Sequence, residues 1–390
     1  MKKIKIMGVN LAVLPVPEVY QIIGHFLLSR RARQIVTPNP EILLEAEHND
    51  EYAYALNGAN LAVPDGFGLS IAGWVKGARL SRVPGSDLVP YIIKKGGELG
   101  LRQAAISWRG GLSSAEQIKA VLNKMAPGSR VRIFELERGE DLPVEYFDFD
   151  PQVVLVSLGA PWQDILAARL RDEGRSLRLV MGVGGSFDFL TGLAKRSPRI
   201  LRSIGLEWLW RLVRYPRART KRVLRAVIVF PLHFIIRDFI NKYFYRPNVV
   251  GFIYDRQGRV LLLNSNKEPR DFWKLPQGGI EAGESPQQAV LREMSEELGV
   301  TNFKLHACYR HVFKYRWPKH YDLGGYKGQQ QSLCLLEYLG QPDDIKLSAE
   351  NKDYKWVPMD RLLQEADPVT KMAYTKFRDL FHNYSQKIKQ

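Results

Sequence analysis

At 390 residues the chain is too long for one small module and long enough for two or three domains, each burying its own core. Hydrophobic residues make up 45% and charged residues 25%, with 17 Phe, 17 Tyr and 8 Trp, which excludes wholesale disorder. Lys and Arg outnumber Asp and Glu by 57 to 41, for a net charge of +16, and two cysteines, Cys308 and Cys334, are too few for a disulfide framework or a four-cysteine zinc site, which fits a reducing cytoplasm.

The first residues combine Lys2, Lys3 and Lys5 with an apolar run, but Gly8, Asn10, Pro15 and Pro17 interrupt it and no small-residue cleavage site follows. A first strand and turn is expected there. From Ile4 to about Arg196, short β-branched runs alternate with longer helical ones, an α/β pattern. Strands are expected at Ile35 to Thr37, Leu61 to Val63, Gln103 to Ser107, Val153 to Ser157 and Leu179 to Val183. Helices are expected at Pro40 to Tyr54, with Asn39 as its cap, at Ser86 to Gly97 and at Ser114 to Lys124. In open α/β sheets ligands bind beyond the carboxyl ends of the strands. Thr37 and Asn39, Asp65-Gly66, Gly159-Ala160-Pro161 and Gly184-Gly185 occupy such ends, where glycine lets backbone N–H groups approach a phosphate or sugar. Asp65 is the candidate general base, set against the ordinary reading of an Asp-Gly turn.

The charge excess is local. Between Lys195 and Arg246 there are 14 basic residues and only two acidic ones, Glu207 and Asp238. Such a segment attracts polyanions: anionic lipid, nucleic acid or a nucleotide substrate; the competing reading is a solvated basic helix. Its apolar run Ala226 to Ile236 contains Pro231 and His233 between Arg225 and Arg237, so it can lie in a lipid interface and cannot cross a bilayer.

The stretches Thr37-Pro-Asn-Pro-Glu41, Val63-Pro-Asp-Gly66, Arg82-Val-Pro-Gly-Ser-Asp87, Gly159-Ala-Pro-Trp-Gln163, Val183-Gly-Gly-Ser-Phe-Asp188 and Gly205-Leu-Glu-Trp208 resemble the WecG/TagA/CpsF glycosyltransferases over about residues 3 to 224. Trp162, Asp164 and Tyr215 depart from that family's usual pattern. The resemblance implies a Rossmann-like parallel sheet. It also implies inverting transfer of an N-acetylmannosamine-type sugar from a UDP donor to a polyprenyl-diphosphate-linked sugar, with no metal or other cofactor. Asp65 would then be the base, Thr37 and Asn39 would line the acceptor site, Gln163 would face the donor, and Gly85, Ser86 and Asp87 would join the substrate-binding set. Negative charge accumulating on the departing UDP would be met by Arg211, Arg214, Arg217 and Arg222, beside Trp208, Trp210 and Tyr215.

After Tyr245 the pattern restarts with strands expected at Val249 to Tyr254 and Arg259 to Leu263. There follow Gly278, Glu284, Arg292-Glu293-Met294, Glu296-Glu297 and Gly299-Val300 in the spacing of the Nudix box. On a helix from Pro286 to Leu298, Glu293, Glu296 and Glu297 share one face, where three like charges repel unless a hard cation binds them. Magnesium suits carboxylate plus substrate phosphate, with manganese as a substitute. Arg292 is expected to fix a carboxylate by an ion pair.

Around the box, Tyr245-Arg-Pro-Asn-Val249, Trp273-Lys-Leu-Pro-Gln-Gly-Gly279, Tyr326-Lys-Gly-Gln329 and Glu350 before Trp356 resemble the RNA pyrophosphohydrolase and dinucleoside polyphosphate hydrolase branch of Nudix proteins. That resemblance implies an α/β/α fold with a mixed sheet. Glu350 would be a further metal ligand or base, Gly278 part of the metal site, Arg246, Lys327 and Gln329 phosphate or base contacts, and Glu284, Arg292 and Gly299 structural.

The expected organisation is a transferase core over 1–196, a basic aromatic appendage over 197–243 with a membrane contact, and a Nudix domain over 244–390. Expected partners are a UDP-sugar, a polyprenyl-diphosphate-linked acceptor, a nucleotide for the hydrolase, and anionic lipid at the inner face of a bacterial membrane, with homo-oligomers allowed. Rival readings are an RNA 5′-pyrophosphohydrolase with a basic RNA-binding front half, or a membrane scaffold whose transferase half is inactive.

Overall fold

The computed structural model describes residues 1–195, 197–198, 201, 210, 216–266, 273–318, 321–348, 350–365 and 370–389. They form two compact units, Met1–Phe239 and Ile240–Gln390.

The first unit opens with a hairpin, β1 (Lys3–Ile6) and β2 (Val9–Ala12), turned at Met7 and Gly8 with φ of 46° and 81°. There follow α1 (Val16–Leu28), β3 (Arg33–Val36), α2 (Pro40–Ala46), α3 (Asp50–Gly58), β4 (Leu61–Ala62), α4 (Phe67–Val75), α5 (Gly85–Glu98), β5 (Gln103–Trp108) and α6 (Ala115–Met125). Next come β6 (Val131–Leu136), α7 (Val144–Phe149), β7 (Val153–Ser157), α8 (Trp162–Glu173), β8 (Leu179–Gly182) and α9 (Ser186–Leu190). The six strands β3 to β8 pair all-parallel in the order β4-β3-β8-β7-β5-β6. Alternation along the strands divides the core between the two faces. Ile35, Ala105, Leu155 and Met181 pack with α1, α5 and α6, whereas Ala104, Val154, Val156 and Val180 pack with α8.

The sequence reading did not place helices α1, α4, α7, α8 and α9, and two further details differ from it. The helix expected from Pro40 to Tyr54 is two helices, because Asn49 turns outward in extended backbone and its side chain accepts the N–H of Tyr52, capping α3. Strand β6 has no counterpart in the reading; at the sheet edge its Arg132 and Glu135 are exposed, which masks the apolar alternation.

The basic segment resumes at α10 (Pro216–Leu224), a π turn over Arg225–Val229 and α11 (Phe230–Ile235). Phe230 and Phe234 are buried among Val36, Leu43 and Leu69. His233 Nδ1 lies 2.8 Å from Glu47 and Arg237 3.5 Å from it, while Asp238 accepts the N–H of Met7 and binds Lys76 at 2.8 Å. One face of this segment is therefore held by the first unit, and its other face leaves Leu224, Val227, Ile228, Leu232, Ile235 and Ile236 exposed. Among the described residues no helix is long and apolar enough to cross a membrane.

The second unit contains β9 (Arg246–Tyr254), β10 (Arg259–Ser265), β11 (Trp273–Lys274), β12 (Gln277–Gly279), α12 (Pro286–Leu298), β13 (Phe303–Arg316), β14 (Gly328–Tyr338), β15 (Asn351–Pro358) and α13 (Lys371–Lys389). The sheet is mixed: β9 and β14 run parallel, and the other pairs run antiparallel. Helix α12 covers the face carrying Val249, Ile253, Cys334 and Leu336, and α13 covers the face carrying Val250, Phe252, Leu333 and Leu335. Cys308 and Cys334, too few for a disulfide framework and read as fitting a reducing cytoplasm, are cross-strand partners with Cα atoms 4.1 Å apart and are joined in a disulfide, a pairing set by β13–β14 register.

Candidate active sites

In the first unit the carboxyl ends of β3, β4, β7 and β8 open onto a cavity of about 870 Å³. Thr37, Asn39, Asp65, Gly85, Ser86 and Gln163, all expected from sequence, line it together with Gly184 and Gly185. A second cavity of about 420 Å³ runs between α4 and α10–α11, its wall made largely of Pro40, Phe67, Ile71, Val223, Val227 and Pro231. Asp65, Asn39, Ser86, Glu41 and Arg222 line both. The carboxylate of Asp65 thus stands where a polar cleft meets an apolar groove.

Local geometry explains why these residues converge. Asp65 is anchored by its own N–H, which donates to Pro38 O at 2.8 Å, and its Oδ2 faces the N–H of Gly85 at 3.4 Å. Asn39 caps α2, accepting the N–H groups of Glu41 and Ile42 at 3.0 and 3.1 Å. A Cβ at Gly85 would sit 2.9 Å from Thr37 Oγ1, so the start of α5 approaches the end of β3 only as glycine. Gln163, in the first turn of α8, accepts the Gly184 N–H at 2.9 Å and ties the β8 loop to the cleft.

The placement of the remaining sequence candidates is mixed. Arg222 reaches both cavities, but its guanidinium grips Glu41 in a bidentate pair with Nε at 2.9 and 2.8 Å from the two oxygens. Asp87 lines neither cavity; its charge faces Tyr20 and raises that phenol, after the larger effect of burial. Arg211 and Arg214 lie outside the described residues, as do 205–208 and the side chain of Arg217. Several lining residues were not singled out from sequence: Arg82, Arg138, Ser113 and Asp188. Arg138 lies over the Trp108 ring at 4.3 Å and donates to Leu158 O, while Ser113 donates to Asp188 at 2.7 Å. Only Arg82 and Asp188 had a signal, since both belong to the six quoted stretches. Elsewhere, Glu47, His48 and His233 bring ligand-type atoms within 4.8 Å of one another, but Arg237 shares the Glu47 carboxylate, so the group reads as an anchor for α11.

In the second unit α12 begins at Ser285 with a reciprocal Ser285–Gln288 capping box and ends at Gly299 with φ of 64°. Arg292 spans the acidic face: Nε and Nη2 each lie 3.0 Å from Glu284, Nη1 lies 2.9 Å from Glu293 and 3.3 Å from Glu296, and Nη2 also donates to Gly279 O. Its role is wider than a single ion pair. Gly278 is obligatory because a Cβ there would collide with the Glu293 carboxyl.

Glu297 is the most perturbed group of this site. Burial, reinforced by Glu293, Glu350 and Glu296 and opposed by Lys274, pushes its carboxyl up to about 8. Among the described residues its buried Oε2 has no hydrogen-bond partner. Glu293 is raised as well, by burial, against the pull of Arg292. A crowded set of carboxylates, one of them with a buried oxygen that lacks a hydrogen-bond partner among the described residues, fits a hard divalent cation, which would replace mutual repulsion by attraction.

Around these carboxylates Arg246 packs on Gly279 and bears on Glu293. Lys327 lies 4.5 Å from the Tyr245 ring centroid and donates to Tyr243 O, and Gln329 donates to Gln277 at 3.3 Å. The Tyr245 phenol is lowered, first by a hydrogen bond with Arg316 and then by the charges of Lys327, Arg316 and Lys314.

A model of the glycosyl transferase WecG/TagA/CpsF family matches residues 4–243, and a NUDIX domain model matches residues 244–377. Solved structures similar to this chain include the dihydroneopterin triphosphate pyrophosphohydrolase of E. coli, at 23% identity over 34% of this chain and 96% of that one, with a TM-score of 0.28. An Ap4A hydrolase binary complex of C. elegans is 25% identical over 35% of this chain and 98% of that one, with a TM-score of 0.28. A MutT protein from Methanosarcina mazei Go1 is 25% identical over 37% of this chain and 96% of that one, with a TM-score of 0.27.

Proposed function

Because the chain belongs to the WecG/TagA/CpsF glycosyltransferase family and carries a NUDIX domain behind it, we propose that this bifunctional glycosyltransferase and hydrolase transfers an N-acetylmannosamine-type sugar from UDP to a polyprenyl-diphosphate-linked acceptor and separately hydrolyses a nucleoside diphosphate linkage. The observation that carries the first half is the position of Asp65 on the common wall of a polar, glycine-lined cleft and an apolar groove. A nucleotide sugar needs the former and the first isoprene units of a lipid-linked acceptor suit the latter. Asp65 at their junction would take the proton from the acceptor hydroxyl as it attacks the anomeric carbon. The N–H at Gly185 and the guanidinium of Arg222, both on the cleft wall, would meet charge growing on the departing diphosphate.

For the second half, Glu293, Glu296, Glu297 and Glu350 would hold a divalent cation, magnesium by preference. When bound, that ion supplies charge neutralisation for the diphosphate and activation of water. Arg292 keeps Glu284, Glu293 and Glu296 oriented, and Arg246, Lys327 and Gln329 offer contacts to further phosphate or base.

Titrating UDP into the full chain by calorimetry, and assaying transfer from UDP-sugars to a polyprenyl-diphosphate-linked acceptor with and without magnesium, tests the reading. Micromolar UDP binding and metal-independent transfer are expected, with magnesium needed only for hydrolysis of dinucleoside polyphosphates or UDP-sugars. Absence of both UDP binding and transfer overturns the transferase half.

Lipid contact is proposed for the exposed row Val227, Ile228, Leu232, Ile235 and Ile236, flanked by Lys221 and Arg225, and for Phe67, Ile71, Trp74 and Val75 of α4. Replacing Ile228 and Leu232 together by Asp is expected to cut sedimentation with anionic vesicles by about tenfold or more, roughly the loss of two buried aliphatic side chains. Vesicle binding equal to the parent's would exclude this face.

A further inference from the structure

Asp164 is an ionisable group that the transfer chemistry leaves unused. It follows Gln163 in the first turn of α8 and is 2% exposed. Tyr52, fully buried in α3, donates its hydroxyl to Asp164 Oδ2 at 2.9 Å, and Gln34 of β3 donates to the Asp164 carbonyl at 3.0 Å. The other carboxylate oxygen, Oδ1, and Gln163 Nε2 both crowd Gly182, where a Cβ would lie 2.5 and 2.9 Å from them, and Gln163 is a side-chain neighbour that favours the Asp164 carboxylate. Gln163 in turn accepts the Gly184 N–H through Oε1. A line of four groups thus runs from α3 through α8 to the β8 loop, with Tyr52 donating at one end and Gly184 donating at the other.

That polarity matters. A glutamine amide can present either its oxygen or its nitrogen to a neighbour, and the two orientations are nearly isosteric. With Asp164 ionised, Nε2 has an acceptor and Oε1 is left for Gly184. In the flipped orientation Oε1 would face the carboxylate and Nε2 would face an N–H, two repulsive contacts at once. Resting on the donor-site reading of Gln163, we propose that Tyr52 and Asp164 are positioning residues: they lock the Gln163 amide so that the Gly184-Gly185 turn holds its shape as a cradle for the diphosphate of the donor.

Burial pushes Asp164 up to about 6, with Tyr52 and Gln163 pulling the other way, so the carboxylate persists at neutral pH in a place that disfavours charge. Asp164→Asn removes the charge while retaining the shape, and its new amide NH₂ competes with Gln163 for the same position. Tyr52→Phe deletes one hydroxyl and keeps the ring.

The test combines UDP titration calorimetry, thermal melting and hydrogen exchange of the Gly182 to Ser186 segment in the full-length chain. Expected for Asp164→Asn are UDP affinity lower by about tenfold, the size of one charge-assisted hydrogen bond, a melting temperature equal to or above the parent's, and faster exchange at Gly184. Tyr52→Phe should lower affinity and speed exchange at Gly184 by about threefold, with a lower melting temperature because the buried carboxylate loses its donor. Unchanged exchange and unchanged affinity in Asp164→Asn would overturn the proposal. A lowered melting temperature that accompanies the affinity loss in Asp164→Asn would overturn it too, by reducing the residue to a structural one. Should the parent itself fail to bind UDP, the donor-site reading falls, and exchange at Gly184 still decides whether Asp164 positions the turn.

Discussion

Replacing Asp65 by Asn is expected to lower sugar transfer by about 10²- to 10⁴-fold, the range a positioned general base contributes, while UDP affinity stays within about twofold of the parent. The separation follows from geometry. Asn retains an oxygen for the Gly85 N–H and the anchor from its own N–H to Pro38, so the loop between β4 and α5 keeps its shape. What is lost is the lone pair that accepts a proton. Because Asp65 lines both cavities, its loss should fall on kcat with a lipid-linked acceptor and leave binding in the nucleotide cleft alone. Steady-state kinetics with calorimetric UDP binding checks this. Full activity of the variant would mean that another group takes the proton, and if glycan assembly in cells were also intact, a scaffold role for the front half would be the better account.

Glu297→Gln is expected to reduce hydrolysis by roughly 10²- to 10³-fold or more, the several kcal/mol that an oriented cation supplies, without unfolding the second unit. Glu297 is half-buried near Glu293, Glu296 and Glu350, and its buried Oε2 lacks a hydrogen-bond partner among the described residues. In chelator, replacing this carboxylate by a neutral amide of the same size relieves like-charge crowding, so the metal-free variant should melt no lower than the parent. Magnesium should then raise the melting temperature of the parent and leave the variant unmoved, since an ion that binds only the native state stabilises it by mass action. Differential scanning calorimetry with and without magnesium gives both numbers, and an equal magnesium response in the two proteins would remove Glu297 from the ligand set.

Several contributions to the two sites are local in the chain and were legible in it. Helix α12 spans Pro286–Leu298 as expected because its signals are all short-range: the Ser285 cap, the Gln288 that completes it, Gly299 at the stop, and carboxylates at one-turn spacing. Asp65, Thr37, Asn39 and Gly184 stood out as candidates for a related reason, since a strand end is recognisable from the run before it, although Asn39 also serves there as the cap of α2. The break at Asn49 was missed because, within the polar run Glu45-Ala-Glu-His-Asn-Asp-Glu51, a cap looks like any other helical polar residue until the backbone turns.

Sequence alone therefore determined the α/β class and the acidic helix face and supplied the strand-end candidates, all of which depend on neighbours within about four residues or on spaced motifs. Tertiary structure decided the rest. It joined Cys308 to Cys334 through strand register, committed Arg222 to Glu41 across 181 positions, and set Tyr52 against Asp164 across 112. It also formed the apolar groove beside Asp65 by laying α10 and α11 along α4. Such pairings arise when distant segments share one core, and a side chain's partner across a sheet or between packed helices leaves no period in the chain from which it could be read.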